Sequence, residues 1–128
     1  MSTPSGTPAP TGMSTGDDCI FCKIRSGQVP GDFVYRDDTC FVIRDIAPAA
    51  PVHLLVIPND HLAHLDGLTA DQTNVIGHMF RVAAQAADKA GLAGSGYRLV
   101  VNQRDDAGQV VDHLHLHVLG GKKLGRMG

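Results

Sequence analysis

Apolar and polar residues alternate along this chain with two periods, and the change of period marks out the elements. Phe33 to Arg36 and Cys40 to Arg44 read as strands around an Asp37-Asp38 turn, and Val52 to Ile57 as a third strand closed by Pro58. At Thr69 the period becomes helical. Thr69-Ala-Asp-Gln72 has capping-box spacing, and Val75, Ile76, Met79, Phe80, Val82, Ala83, Ala86, Ala87 and Ala90 then recur on one face until Gly91. Two more strands follow, Tyr97 to Asn102 and Val111 to Leu119, joined by a polar loop from Arg104 to Gln109. Ahead of the sheet, a short helix capped by Asp18 is expected to run through Ser26, with Gly27 as its stop and Pro30 beyond. The sum predicts an α+β fold: a five-stranded antiparallel sheet with one long helix and a short N-terminal helix.

The last strand carries the chemistry. His113, His115 and His117 occupy alternate positions of His-Leu-His-Leu-His-Val-Leu, so the three rings share one face while Leu114, Leu116 and Val118 face the core. Burying three unpartnered polar rings would cost about 1 to 3 kcal/mol each, which makes a purely structural role the poorer explanation. Same-face Cα atoms lie roughly 7 Å apart, so the outer rings start about 13 Å apart and cannot share one tetrahedral ion. Different jobs are therefore expected, with the middle ring as candidate nucleophile or general base.

Composition narrows the function. At 128 residues and 43% hydrophobic, the chain suits one domain with a real core. A formal charge of −2 argues against a nucleic-acid polymer as partner, and no apolar run approaches the ~20 residues that cross a bilayer. Residues 1–16, nearly all Ser, Thr, Pro, Gly and Ala, are expected to form a disordered tail ahead of a domain spanning 17–128. Three cysteines and no export signal point to reduced thiols in the cytoplasm.

Several side chains stand near the histidine strand. Asn102 ends the strand before it and Gly108-Gln109 precedes it, where amide and backbone N–H groups can hold phosphate oxygens. Asp45, at the end of a strand, suits a ribose diol or a plain solvated turn. Cys19-x-x-Cys22 is half of a zinc site by spacing, with His53, His61, His64 and His113 available to complete it; two buried thiols on a short helix fit equally well. Cys40 reads as core filling, and His64 and His78 as surface helix positions.

The strand His113-Leu-His-Leu-His-Val-Leu119 resembles the signature of the histidine triad (HIT) superfamily of nucleotide hydrolases and transferases. The similarity continues through Cys19-Ile-Phe-Cys-Lys23, Asp45-Ile-Ala-Pro48, His53-Leu-Leu-Val-Ile-Pro58 with His61, and Val100-Val-Asn102, and the branch of purine nucleoside phosphoramidases is the nearest. The resemblance implies that His115 attacks the α-phosphorus to form a nucleotidyl-histidine intermediate that water hydrolyses. His117, His53 and His113 would support it, and Asn102 and Gln109 would hold the phosphate. Asp45 would bind the ribose, and Phe21, Ile24, Phe41 and Ile46 would form the base slot for a purine nucleotide such as AMP or GMP. It further implies a structural zinc on Cys19, Cys22, His61 and His113, with no cofactor required for catalysis, and a homodimer with sheets joined edge to edge. Two departures stand out: Val110 replaces a hydroxyl residue beside the scissile bond, and the tail Lys122 to Gly128 lacks a Trp-Pro-Pro ending. Those departures favour an alternative reading as a zinc-stabilised nucleotide-binding sensor or adaptor with little turnover.

Overall fold

The computed structural model describes residues 19–127; the expected tail over 1–16 and the expected helix cap Asp18 lie outside the described residues. Helix α1 (Ile20–Ser26) is capped instead by Cys19, whose Sγ accepts the Cys22 N–H at 3.4 Å, and it stops at Gly27, whose φ of 90° suits glycine. Strands β1 (Phe33–Arg36), β2 (Cys40–Arg44) and β3 (Val52–Pro58) follow, then helix α2 (Ala70–Lys89), β4 (Tyr97–Val100) and β5 (Leu116–Gly120). All pairings are antiparallel and the strand order is β1-β2-β3-β5-β4, so α2 carries the chain to the far edge and β5 returns between β3 and β4. That return makes β5 an interior strand, between β3 and the edge strand β4.

Two strands are shorter than their sequence patterns. The β3–β5 register pairs Val56 with Leu116, and two residues further on β3 reaches its end at Pro58, which has no N–H to donate. Residues 113–115 therefore leave the ladder, and the Leu114 N–H donates to the Leu62 carbonyl instead. With no ladder partner there, β4 stops at Val100 and not at Asn102.

Each face of the sheet has its own core. On one, Cys40, Val42, Leu54, Val56, Leu116 and Val118 meet Met79, Val82, Ala83, Ala86 and Ala87 of α2; on the other, Phe41, Ile43, Leu55 and Ile57 meet Phe21, Cys22 and Ile24 of α1. Small alanines let α2 lie close to the sheet. The predicted capping box is present, with reciprocal bonds between Thr69 and Gln72, but Phe80 and Ala90 fall outside the buried stripe and face solvent. No helix among the described residues is long and apolar enough to cross a membrane.

A polar knot ties α2 to the β1–β2 turn. Asp37 Oδ1 accepts the N–H groups of Thr39 and Cys40 at 2.7 and 2.8 Å, while Oδ2 lies 2.7 Å from both Tyr35 Oη and His78 Nε2. His78 is thus a half-buried partner of Asp37, a role its helical position alone does not signal. Burial alone would raise the Asp37 carboxyl, yet bonds from Cys40 N–H, His78, Tyr35 and Thr39 N–H hold it well below the usual carboxylate range. Its folded pKa therefore lies below the unfolded value of about 3.9, so the stabilisation is present above that pH and is lost as pH falls through the folded value. Asp37→Asn is expected to lower stability at pH 7 by about 2 kcal/mol and to flatten the acid limb, as read by urea melts at pH 7 and pH 3.

Candidate functional site

Where residues 113–115 leave the ladder, their side chains are redistributed. His113, fully buried, places Nδ1 3.2 Å from Cys19 Sγ and 3.5 Å from Cys22 Sγ, and Cys22 Sγ lies 3.4 Å from His61 Nδ1. Donor atoms of Cys19, Cys22, His61 and His113 all lie within 4.8 Å of one another. A tetrahedral zinc with sulfur at about 2.3 Å and nitrogen at about 2.1 Å sets a sulfur–nitrogen edge of about 3.6 Å, so the four donors are spaced to hold such an ion. Two further observations agree. The Nε2–H of His113 donates to the Pro58 carbonyl at 2.8 Å, which leaves Nδ1 as the lone-pair nitrogen. The Cys22 contact, with His113 and His61 beside it, draws the Cys19 thiol far below its usual range, the direction a metal-binding sulfur needs, while the same contact pushes Cys22 up. His64, by contrast, sits half-buried in the loop before α2, outside this set and outside any helix.

His115 faces the other way along the row. Its Nδ1 lies 2.7 Å from the His113 carbonyl, which can only accept, so Nδ1 carries the proton and Nε2 the lone pair. The ring packs edge-on against Phe21 with centroids 5.0 Å apart, and 5.0 Å from the ring of His117. Burial, the largest influence, pushes His115 below the ordinary imidazole pKa. An unprotonated nitrogen with a fixed tautomer is what a nucleophile requires.

His117 and His53 form a pair from adjacent strands. His53 Nε2 is 2.9 Å from His117 Nδ1, and the Ala49 N–H donates to His53 Nδ1 at 3.0 Å. Since His53 Nδ1 accepts, its Nε2 bears the proton and donates, leaving neutral His117 protonated on Nε2. Burial lowers His53, with Asp45 partly opposing, and burial together with the charges of His115 and His53 pushes His117 down to about 4. Both folded values lie below the unfolded value of about 6.5, so the stability they contribute is present above that pH and is lost as pH falls towards about 4. A thermal-melt series from pH 7.5 to 4.5 is expected to show falling stability, with a smaller fall in His117→Phe.

A cleft of about 470 Å³ opens beside this row. Its lining includes Phe21, Ile24, Asp45, Ile46, Asn102 and Val110, together with His115 and His117. Ile46 and Val110 are at its rim, 99% and 91% exposed. Besides His113, which stands in the four-donor cluster, three residues expected at the substrate site do not line the cleft. Phe41 is buried against Phe33 in the core on the α1 side of the sheet. His53 lies behind His117. Gln109, expected to hold phosphate, has both ends of its amide engaged, Oε1 by the Arg104 N–H at 2.8 Å and Nε2 by the Ala63 carbonyl at 3.1 Å. Its amide thereby closes the 104–109 loop, with one Nε2 hydrogen committed to Ala63.

Arg104 is a participant that the sequence pattern does not flag. Its φ of 64° is in the left-handed region that favours glycine, a strain of about 1 to 3 kcal/mol, and its guanidinium bonds both Asp66 oxygens at 3.0 and 3.2 Å. With Leu65 N–H donating to Gln103 Oε1, the loop over the cleft is tied to the segment that carries His61.

Fold and site together define an α+β domain organised around a row of imidazoles at a cleft. A family profile described as the HIT domain matches residues 26–124, and the chain belongs to the HIT family. It is 42% identical over 111 residues to the purine nucleoside phosphoramidase of Escherichia coli K12, covering 87% of this chain and 93% of that one. Among solved structures it is similar to a HIT family hydrolase from Clostridium thermocellum, with TM-score 0.82, 39% identity, and 86% and 96% of the two chains covered. A histidine triad protein from Clostridium difficile superposes with TM-score 0.83 at 38% identity, over 91% of this chain and all of that one.

Proposed function

We propose that the protein is a nucleotide hydrolase that cleaves purine nucleoside phosphoramidates of the adenosine 5′-phosphoramidate type at the α-phosphorus. The observation that carries this reading is the His115 ring, with Nδ1–H held by the His113 carbonyl and Nε2 unprotonated beside the cleft. Likeness to the phosphoramidase of Escherichia coli supports the substrate class.

In the first step the His115 Nε2 lone pair forms a bond to phosphorus and the bond from phosphorus to the amine breaks. The departing amine takes up a proton, relayed from solvent through His117. Because burial makes His117 a weak base, its protonated form is a strong donor. In the second step a water oxygen bonds to phosphorus, the bond to His115 breaks, and the water proton returns through His117. The products are the nucleoside monophosphate and the amine. Asn102 at the cleft wall and nearby N–H groups balance charge developing on the phosphate oxygens.

Asp45 binds the ribose, and Phe21, Ile24 and Ile46 flank the base. Zinc on Cys19, Cys22, His61 and His113 fastens α1 to the segment before β5, and a closed four-ligand set supplies structure and no open position for substrate. The protein acts as a homodimer, using a sheet edge for self-association. Mass spectrometry of protein quenched after mixing with adenosine 5′-phosphoramidate tests the reading: an adenylyl adduct on His115 is expected, and turnover without any adduct on this residue would overturn it.

The rim valine favours a second reading, a nucleotide-binding sensor with little turnover, because Val110 offers no hydroxyl to the leaving group. Val110→Ser is expected to raise kcat by about tenfold with little change in KM if protonation of the amine limits the rate. Micromolar AMP binding with no turnover by either form would favour the sensor.

A further inference from the structure

Residues 45–49 form a hoop around one imidazole. The Asp45 N–H donates to the His53 carbonyl at 3.0 Å, and the Ala49 N–H donates to His53 Nδ1 at 3.0 Å. Asp45 Oδ1 is held by the Ala47 N–H at 2.9 Å, while Oδ2 lies 3.4 Å from His53 Nε2. The single hydrogen on His53 Nε2 therefore has two acceptors, His117 Nδ1 at 2.9 Å and Asp45 Oδ2 at 3.4 Å. Although donor atoms of Asp45, His53 and His117 lie within 4.8 Å of one another, they do not make a cation cage, because neutral His53 has no lone pair to give on that side.

Asp45 also lines the cleft, with its side chain about one-fifth exposed. One carboxylate thus faces the ligand space on one side and the proton of His53 on the other. A donor arriving from the cleft competes for the same oxygen.

We propose that Asp45 couples sugar recognition to the protonation pattern of the histidine row: a ribose cis-diol that donates to Asp45 Oδ2 releases the His53 Nε2–H wholly to His117 Nδ1, which fixes the proton of His117 on Nε2. The proposal rests on the nucleotidyl-transfer reading above. Without the diol, the carboxylate at 3.4 Å competes with His117 at 2.9 Å for the His53 hydrogen, and His117 is held less completely in one tautomer. Asp45 and His53 are then positioning residues that act through His117. Sugar contacts appear in the rate of turnover as well as in binding.

Two measurements on the full chain decide it. Steady-state kinetics compare adenosine 5′-phosphoramidate with its 2′-deoxy analogue. The expected result is a kcat about tenfold lower for the deoxy substrate with KM changed by less than about threefold, and loss of that kcat difference in His53→Ala. A sugar effect confined to KM, or one that persists undiminished in His53→Ala, would overturn the coupling. Imidazole 15N NMR of the unmodified chain, titrated with AMP or 2′-deoxy-AMP, reads the tautomer directly without relying on a variant that folds. AMP is expected to drive His117 to the form with Nδ1 unprotonated and Nε2 protonated, more completely than the deoxy nucleotide; identical spectra for the two at saturation would sink the proposal. Turnover with equal kcat for both sugars removes only the coupling, whereas absence of AMP binding and of turnover removes the nucleotide reading and the coupling with it.

Discussion

Replacing His115 with alanine is expected to abolish release of AMP from adenosine 5′-phosphoramidate, a loss of about a thousandfold or more in kcat, while the fold persists. The size follows from the loss of the attacking atom itself. Neighbours can hold phosphate and relay protons, but His113 Nε2 is engaged by the Pro58 carbonyl and His117 Nδ1 by His53, so neither ring presents a replacement lone pair in the same place. Persistence of the fold is expected because His115 meets the protein through one hydrogen bond to a carbonyl and ring contacts with Phe21 and His117, and belongs to neither apolar cluster. Circular dichroism and a thermal melt on the same sample separate the two effects. Turnover within tenfold of the unmodified chain in a folded His115→Ala would end the covalent mechanism.

The second large effect concerns stability. Stripping metal with a strong chelator, or replacing Cys22 with serine, is expected to lower stability by about 3 kcal/mol or more, corresponding to a fall in Tm of about 10 °C or more. The four donors come from α1, the loop after β3 and the segment before β5, so an ion there would hold three parts of the chain that are otherwise joined by few main-chain bonds. Elemental analysis should give about one zinc per chain in the unmodified protein and much less in Cys22→Ser. If the unmodified protein contains no metal and added zinc leaves its melting unchanged, the four side chains are a buried hydrogen-bonded group and nothing more.

Much of this site was legible from residue spacing. Alternate histidines announced the row, the Thr69 capping box announced α2, and the Cys-x-x-Cys pair announced half of the four-donor cluster. What spacing could not convey was which ring does which job, because those assignments depend on main-chain groups. Pro58 ends β3 and thereby both frees its carbonyl for His113 and releases residues 113–115 from the ladder. A period-2 pattern cannot distinguish paired strand from an extended segment of this kind, which is why β5 starts five residues later than its pattern suggests. Gln109 shows the same limit: glutamine beside glycine looks like a ligand for phosphate, and spacing could not convey that its amide also closes a loop through Arg104 and Ala63. The strained Arg104 and the Asp37–His78 contact are tertiary facts, with partners 38 and 41 residues away in the chain.

The three ring orientations share one origin. His53 takes its tautomer from the Ala49 N–H, His115 from the His113 carbonyl and His113 from the Pro58 carbonyl. Peptide groups are the same whatever residue bears them, so substitutions that replace side chains at these positions leave the proton placement unaltered, with proline at 49 the exception on the donor side. Such an arrangement can endure extensive evolutionary drift in the surrounding residues, and it can be grafted into a new scaffold only by reproducing the path of the chain.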